Sequence, residues 1–299
     1  MSRSVQIFQE DAFTTRRFTG NPAGVVLGAE VLQDDEMLAI ARELNNADTA
    51  FILPADGPDH DVRLRFFTPR NEAAFVGHAT VAAQYVLSGL NSNLRHSRQK
   101  QKAGIYDIEI RGGDAARLIA IRQPTPPLGR ELNDRELRAV LDALALSSTD
   151  LDPRCPLQIG GSGSTRLLIG VRSSEQLKSL KPDYSRLSTL SAQLGAAGHF
   201  VFALQANSAH LTEARMFCPA LGIPEDPVSG NAHGILAAYL ARHGLLKATD
   251  GKARFHAIQG RHVNRPGEID IELGFTDGKP SEVWIMGRAV TIFETSLQL

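Results

Sequence analysis

Cysteine is scarce in this chain: Cys155 and Cys218 are the only two in 299 residues. Two thiols cannot build a disulfide framework or a four-ligand structural zinc site, and they point to a reducing cytoplasm. Neither sign of charge dominates. Thirty-two Lys and Arg stand against 33 Asp and Glu, a formal net charge of −1, so no nucleic-acid partner is implied. The one basic run, Arg95-His96-Ser97-Arg98-Gln99-Lys100-Gln101-Lys102, lacks aromatics for stacking and reads as a solvated loop. No apolar run reaches membrane length. The start, Met1-Ser2-Arg3-Ser4-Val5, leads into a strand-like segment without a signal-peptide pattern, so neither a membrane span nor export is expected.

Phosphate fingerprints are missing too. The stretch Gly160-Gly161-Ser162-Gly163-Ser164-Thr165 has no Gly-Lys-Ser/Thr and no G-x-G-x-x-G ahead of a helix, and no nucleophile elbow occurs. The histidines have no metal-ligand spacing; His256 and His262, six apart, read as structural. No metal, nucleotide or other cofactor is expected.

What is present is a core-forming composition and a repeat. Hydrophobic residues make up 42% of the chain, enough for one large domain or two of ordinary size. Arg65-Phe66-Phe67-Thr68-Pro69 is followed by Val76-Gly77-His78-Ala79-Thr80 and an apolar run to Leu87. Arg215-Met216-Phe217-Cys218-Pro219 is followed by Ser229-Gly230-Asn231-Ala232-His233-Gly234 and an apolar run to Leu240. Each copy reads as strand, Pro-bounded loop, Gly turn and helix. Such a duplication implies two similar halves, and a cleft between halves is a favoured place for a small-molecule site.

Local patterning fills in the rest. Val5 to Phe13 reads as a strand, Asn21-Pro22-Ala23-Gly24 as a turn, and Val25-Val26-Leu27 as a second strand. Asp34 is the expected N-cap of a helix over 35–44, with Met37, Ile40, Ala41 and Leu44 on one face. Strands are expected over 49–53 and 62–67, the latter half-exposed because Arg63 and Arg65 alternate with apolar neighbours. The second half repeats this order with a helix over 183–194, breakers at Gly195 and Gly198, and a strand over 200–204. Gln123-Pro124-Thr125-Pro126-Pro127 is the clearest linker, dividing the chain into residues 1–123 and 128–299. A helix over 134–144 follows it. Ser281 to Phe293 alternates like one closing strand that pairs back with one of the two sheets; the pattern leaves open which.

The Gly turns are the candidate chemistry. Glycine permits positive φ and close ligand approach. A helix start offers unpaired N–H groups and a positive dipole end, which suit a carboxylate or phosphate. Gly77, His78, Gly230 and Asn231 are therefore expected to grip an anionic substrate from two sides. An acid precedes each turn: Asp226 lies four residues before Gly230 and Glu72 five before Gly77, and the two read as roughly equivalent. Each suits a cap or turn role as well as a site role. His78 has the ordinary pKa of a proton carrier near neutrality, and a helix N-terminus favours its neutral form.

Asp11-Ala12-Phe13-Thr14, Gly20-Asn21-Pro22-Ala23, Ala41-Arg42-Glu43-Leu44-Asn45, Phe67-Thr68-Pro69, Gly77-His78-Ala79-Thr80 and Glu225-Asp226-Pro227-Val228-Ser229-Gly230-Asn231-Ala232 run in order through nearly the whole chain. Together they resemble the PhzF-like phenazine-biosynthesis isomerase family. The resemblance implies an α/β (α+β) fold of the diaminopimelate-epimerase-like kind. Two similar domains would be related by pseudo-twofold symmetry, each a curved, mostly antiparallel sheet around a central helix. It further implies a cofactor-independent isomerase, as a homodimer, acting between its domains on a small carboxylate-bearing substrate. The implied catalytic residues are Asp48, His78 and Asp226; the implied substrate-binding residues are Gly77, Ala79, Ser229, Gly230 and Asn231.

One position departs from the family pattern. The proton carrier in the family is a glutamate in a segment like N-x-S-E-T/S, and Asn46-Ala47-Asp48-Thr49 puts an aspartate there. Its reach is shorter by about 1.5 Å, and proton transfer needs heavy atoms within about 3 Å. Diaminopimelate and proline racemases carry a cysteine beside each turn. Val76 and Ser229 stand there in this chain, and valine accepts no proton, so two-thiol racemisation is excluded. Asp48 has no acidic partner in the repeat, where Ala197 and Gly198 fall. The expectation is one carboxylate, with its pKa raised toward working pH, moving a proton on one face. A thiol-independent epimerase or racemase and a non-catalytic small-molecule-binding protein are the alternatives.

Overall fold

The strand β1 (Ser4–Ala12) buries Val5 and Ile7 on one face and Phe8 on the other, so its sheet is covered on both sides. This computed structural model describes residues 3–113, 116–205 and 208–299; Met1 and Ser2, read above as leading into the first strand, lie outside the described residues. The chain divides into two units, Met1–Gln123 with Met286–Leu299, and Pro124–Ile285.

In the first unit, β2 (Asn21–Leu27) runs antiparallel to β1. The stretch 21–24 is strand rather than the expected turn, because Asn21 to Gly24 pair with Ala12 to Gln9. The helix α1 (Asp34–Leu44) is capped by Gln33, one residue earlier than expected. The Glu36 carboxylate accepts the Gln33 N–H at 2.8 Å, while the carboxylate of Asp34 takes Arg65 at 2.5 Å. β3 (Thr49–Pro54) lies parallel to β2, and β4 (Val62–Phe67) antiparallel to β3. The short β5 (Glu72–Ala73) folds back on the end of β4. The helix α2 (Gly77–Leu90) then crosses β1, β2 and β3. Its inward Ala79, Ala82 and Ala83 are small enough to let Val25, Ile52, Leu64 and Phe66 pack closely beneath it.

β6 (His96–Gln101), β7 (Gly104–Arg111) and β8 (Leu118–Pro124) complete this half. β6 is the basic run expected as a loop. It escapes an apolar-alternation test because its buried side is polar: Ser97, Gln99 and Gln101 point inward. They are tolerated because Gln84 donates to Gln99 Oε1 at 2.9 Å and Gln99 donates to Thr80 Oγ1 at 3.3 Å. Gln123 and Pro124 also belong to a strand, so the segment outside strands shrinks to 125–127.

The second unit holds β9 (Leu128–Glu131), α3 (Asp134–Leu144), β10 (Gln158–Gly160), β11 (Arg166–Val171), α4 (Ser174–Ser179), α5 (Tyr184–Leu194), β12 (Gly198–Leu204), β13 (Thr212–Cys218), β14 (Ile223–Asp226), α6 (Gly230–Arg242), β15 (Lys252–Gln259), β16 (Gly267–Thr276) and β17 (Lys279–Gly287) up to Ile285. From β10 to β16 the pairing is antiparallel, parallel, antiparallel, antiparallel, parallel, antiparallel. β1 to β7 follow the same sequence of directions. The duplication read from two motifs therefore extends through seven strands and two helices of each unit. The strand pairings within each unit are mixed but mostly antiparallel, and the class is α/β.

The last strand, β18 (Ala289–Gln298), pairs antiparallel with β1 in the first unit. The expected single closing strand over 281–293 is two strands interrupted at Arg288. The Arg288 carbonyl accepts the N–H groups of Phe13, at 2.7 Å, and Thr14, at 3.3 Å.

Candidate active site

Asp48 is set by the end of α1. Asn45 takes the left-handed conformation that closes the helix, its N–H donating to the Ala41 carbonyl. The Asn46 side chain exchanges two amide hydrogen bonds with Gln9 of β1, at 2.8 and 3.2 Å. That clasp fixes the path into β3, which begins one residue after Asp48. The Asp48 residue is 9% exposed. Its Oδ2 lies 3.7 Å from His78 Nε2, too far for a hydrogen bond and close enough to become one after a small shift. His78 Nε2 is buried and has no hydrogen-bond partner. Burial pushes the imidazole pKa down to about 4, so His78 is neutral at pH 7. The neutral form agrees with expectation, but burial is the cause.

His78 is the second residue of α2. The N-cap, Val76, has no side-chain oxygen, so the first-turn N–H groups of Gly77, His78 and Ala79 go uncapped by it. Gly77 does not have positive φ, contrary to expectation. A Cβ there would meet only the edge of Phe75 at 3.9 Å. Neither backbone strain nor packing calls for glycine at 77; what its absent side chain leaves is open room in front of the helix start.

The second unit builds its counterpart differently. Gln259, at the end of β15, donates to the Asp226 carbonyl at 2.6 Å and accepts the Ser229 N–H at 3.1 Å. One side chain thus pins both ends of the segment 226–229. Gly260 is required beside it: φ is +86° and a Cβ would lie 2.8 Å from the Pro227 carbonyl oxygen. Ser229 caps α6, its Oγ accepting the Ala232 N–H at 3.5 Å, and His233 Nδ1 bonds the Ser229 carbonyl at 2.8 Å. Gly230 opens the helix, also without positive φ. Asn231 is half-buried, and its Nδ2 donates to the Ser164 carbonyl at 2.9 Å.

Within the first unit, then, Asp48, His78, Gly77 and Ala79 lie together; within the second, Asp226, Ser229, Gly230 and Asn231 do. The expected match of Glu72 with Asp226 fails. Glu72 binds Arg65 at 2.7 Å, and the residue doing this in the second unit is Glu225, with Arg215 at 2.8 and 3.0 Å. Phe66 faces Ala73 where Met216 faces Asp226. Asp226 therefore corresponds to Ala73, one residue further on and on the opposite strand face. Gln9, Asn46 and Gln259 hold the segments carrying the acids in place, a role for which isolated amides carry no sequence signal. Among the described residues, no three His, Cys, Asp or Glu side chains gather as a metal-ligand set, and no helix is long and apolar enough to cross a membrane.

A buried acid beside a neutral imidazole at an uncapped helix start is an arrangement that suits general acid–base chemistry. Comparison with known proteins fixes the family. The family model described as phenazine biosynthesis-like protein matches residues 10–295, and the chain belongs to that family. An uncharacterized isomerase of Clostridium acetobutylicum is 39% identical over 302 residues, covering 100% of both chains. The trans-2,3-dihydro-3-hydroxyanthranilate isomerase of Pseudomonas chlororaphis is 30% identical over 285 residues, covering 94% of this chain and 95% of its own. The crystal structure of a PhzF-family phenazine biosynthesis protein from Bacillus anthracis superposes with a TM-score of 0.88 at 27% identity, covering 99% and 100%. A hydroxyproline epimerase of Agrobacterium vitis shares the fold, with a TM-score of 0.64 at 13% identity over 99% and 93%. The chain is an isomerase of this family.

Proposed function

We propose that this isomerase moves a proton between two carbons of a small carboxylate-bearing substrate, without a cofactor, and that Asp48 carries the proton. The observation that supports this most is the 3.7 Å approach of Asp48 to the unpartnered Nε2 of neutral His78, directly at the uncapped start of α2. Asp48 takes the proton from one carbon as a base and returns it to the other as an acid. His78, neutral, exchanges a hydrogen bond with the carboxyl group or with a polar group of the substrate as charge moves. In the first unit the first-turn N–H groups of α2 are donors to an anionic group, and in the second Asp226 and the first turn of α6 bind a polar or anionic group. The reading includes a homodimer in the cytoplasm, where the two buried cysteines stay reduced.

The test is a screen of small carboxylates in D₂O, read by mass. A true substrate gains deuterium with the wild-type protein, and Asp48→Asn loses the exchange while still binding. Chelation leaves the rate unchanged. Exchange at the wild-type rate in Asp48→Asn removes the shuttle. Inversion at a single carbon in place of migration between two identifies the thiol-independent epimerase, a reading favoured by one acid standing in each unit.

A further inference from the structure

The second unit buries a cation without a carboxylate partner. Arg166, the first residue of β11, is 7% exposed. Its Nη1 donates to Ser164 Oγ at 2.8 Å and to the Thr165 carbonyl at 2.9 Å, and its Nε is buried with no hydrogen-bond partner. Among the described residues, no Asp or Glu lies within ion-pair range of it. The contrast with Arg215 is direct: that guanidinium is as deeply buried but closes on Glu225 with two bonds. A buried guanidinium with no carboxylate in ion-pair range is costly. Burial lowers the Arg166 pKa, with the charges of Cys218 and Asp226 acting against it.

The place is specific. Arg166 and Asn231 hold the same residue, Ser164, one through its hydroxyl and the other through its carbonyl. Asn231 is in the first turn of α6, so the unsatisfied guanidinium and the positive end of that helix meet at one short loop. The loop sits tightly on the helix: a Cβ on Gly160 or Gly161 would fall 2.5 or 2.8 Å from Ile235. This explains the glycines of a stretch that fits no phosphate motif. The first unit has nothing comparable. Leu167 faces His199 as Gly24 faces Thr49, so Arg166 corresponds to Ala23.

We infer that Arg166 is the counter-ion for the substrate carboxylate at the start of α6, and that it orients the substrate. A carboxylate there completes the ion pair that Arg166 lacks. The inference rests on the proposed function in one respect, that the substrate carries a carboxylate.

The test is binding, which needs no turnover. The probes are anthranilate and its uncharged analogue 2-aminobenzamide, titrated calorimetrically into the wild type, Arg166→Gln and Arg166→Lys, with melting temperatures recorded in parallel. The wild type is expected to prefer anthranilate. Arg166→Gln is expected to bind anthranilate about 30-fold more weakly or worse, the usual result of removing one side of a buried charge pair. It should bind the amide as before and melt no lower, because a buried unpaired charge has gone. Arg166→Lys recovers part of the preference. Wild-type protein that binds neither probe, or both equally, overturns the inference. So does Arg166→Gln with wild-type anthranilate affinity, or with a lowered melting temperature and both probes weakened equally, which makes Arg166 a brace for the loop. Failure of the proton shuttle shows separately, as deuterium exchange that survives in Asp48→Asn while these affinities behave as expected.

Discussion

The two units share strand order, pairing directions and even an ion pair, yet their acids stand at different places. The first has Asp48 ahead of β3, where the second has Gly198. The second has Asp226 at the end of β14, where the first has Ala73. His78 is matched by Asn231 and Ala23 by Arg166. What stayed the same is what the fold needs: Arg65 with Glu72 and Arg215 with Glu225, each guanidinium also lying about as close to a Phe ring, 5.1 Å from Phe67 and 4.9 Å from Phe217. What diverged clusters at the helix starts. On the proposed function, two copies of a scaffold have specialised, one toward proton transfer and one toward holding charge.

Breaking this division at its catalytic side has the largest effect. Asp48→Asn is expected to lose about 10² to 10⁴ of the deuterium-exchange rate, the usual share of acid–base catalysis. Gly198→Asp, which places an acid at the equivalent point of the other repeat, should restore none of it. Rescue by Gly198→Asp would mean that the two units are interchangeable.

The shared ion pairs sharpen the comparison next. Arg215 and Glu225 side chains are 9% and 5% exposed, against 21% and 24% for Arg65 and Glu72. Glu225→Gln leaves a buried guanidinium unpaired and should cost about 3 to 5 kcal/mol in urea unfolding. Glu72→Gln, in the wetter copy, should cost roughly 1 kcal/mol or less. Equal losses would show that burial does not distinguish the copies.

Acid separates the units as well. Burial holds His78, His199 and His233 near pKa 4 in the folded chain, against an ordinary 6.5. Between those values the unfolded chain takes up three protons that the folded chain refuses, so their contribution to stability falls as pH falls. Glu10 acts in the opposite direction. Burial raises it to about 7 from 4.5, so the folded chain holds one proton that the unfolded chain has lost. From pH 6.5 to 4.5 the net difference over these four groups is two protons, a loss of about 3 kcal/mol per pH unit from them. Denaturant melts at stepped pH measure that slope, and Glu10→Gln should steepen it. Two of the three histidines lie in the second unit, so hydrogen exchange at pH 5 should show that unit losing protection first.

The smallest effect on folding belongs to Gly77. Because φ is ordinary and the space is open, Gly77→Ala should change stability by no more than about 1 kcal/mol. It should nevertheless weaken carboxylate binding, since the added methyl occupies the room before the helix start. Unchanged affinity would move the ligand away from α2.

Much of this was legible in the chain. Gly77 and Gly230 do open helices, and the strand over 62–67 and the helix over 134–144 form over those same residues, because apolar periodicity and capping are local. The misreadings have local causes too. Glu72 was matched to Asp226 because both are acids near a glycine; counting back from Gly77 and Gly230 puts Ala73 opposite Asp226. The run 95–102 hid a strand because its inward residues are glutamine and serine, and their partners, Gln84 and Thr80, come from a helix.

By itself the sequence determined the duplication, the α/β class, the helix starts and the absence of thiols beside them, since each depends on residues close together in the chain. Only the tertiary structure decided that β18 joins the first unit, that Gln9 and Gln259 clamp the segments carrying the acids, that His78 is neutral by burial, and that Arg166 is buried with no carboxylate in ion-pair range. Those facts depend on which atoms surround a group and exclude water from it. Residues supplying that environment lie up to hundreds of positions away, as Val5 and Leu297 do where β18 pairs with β1.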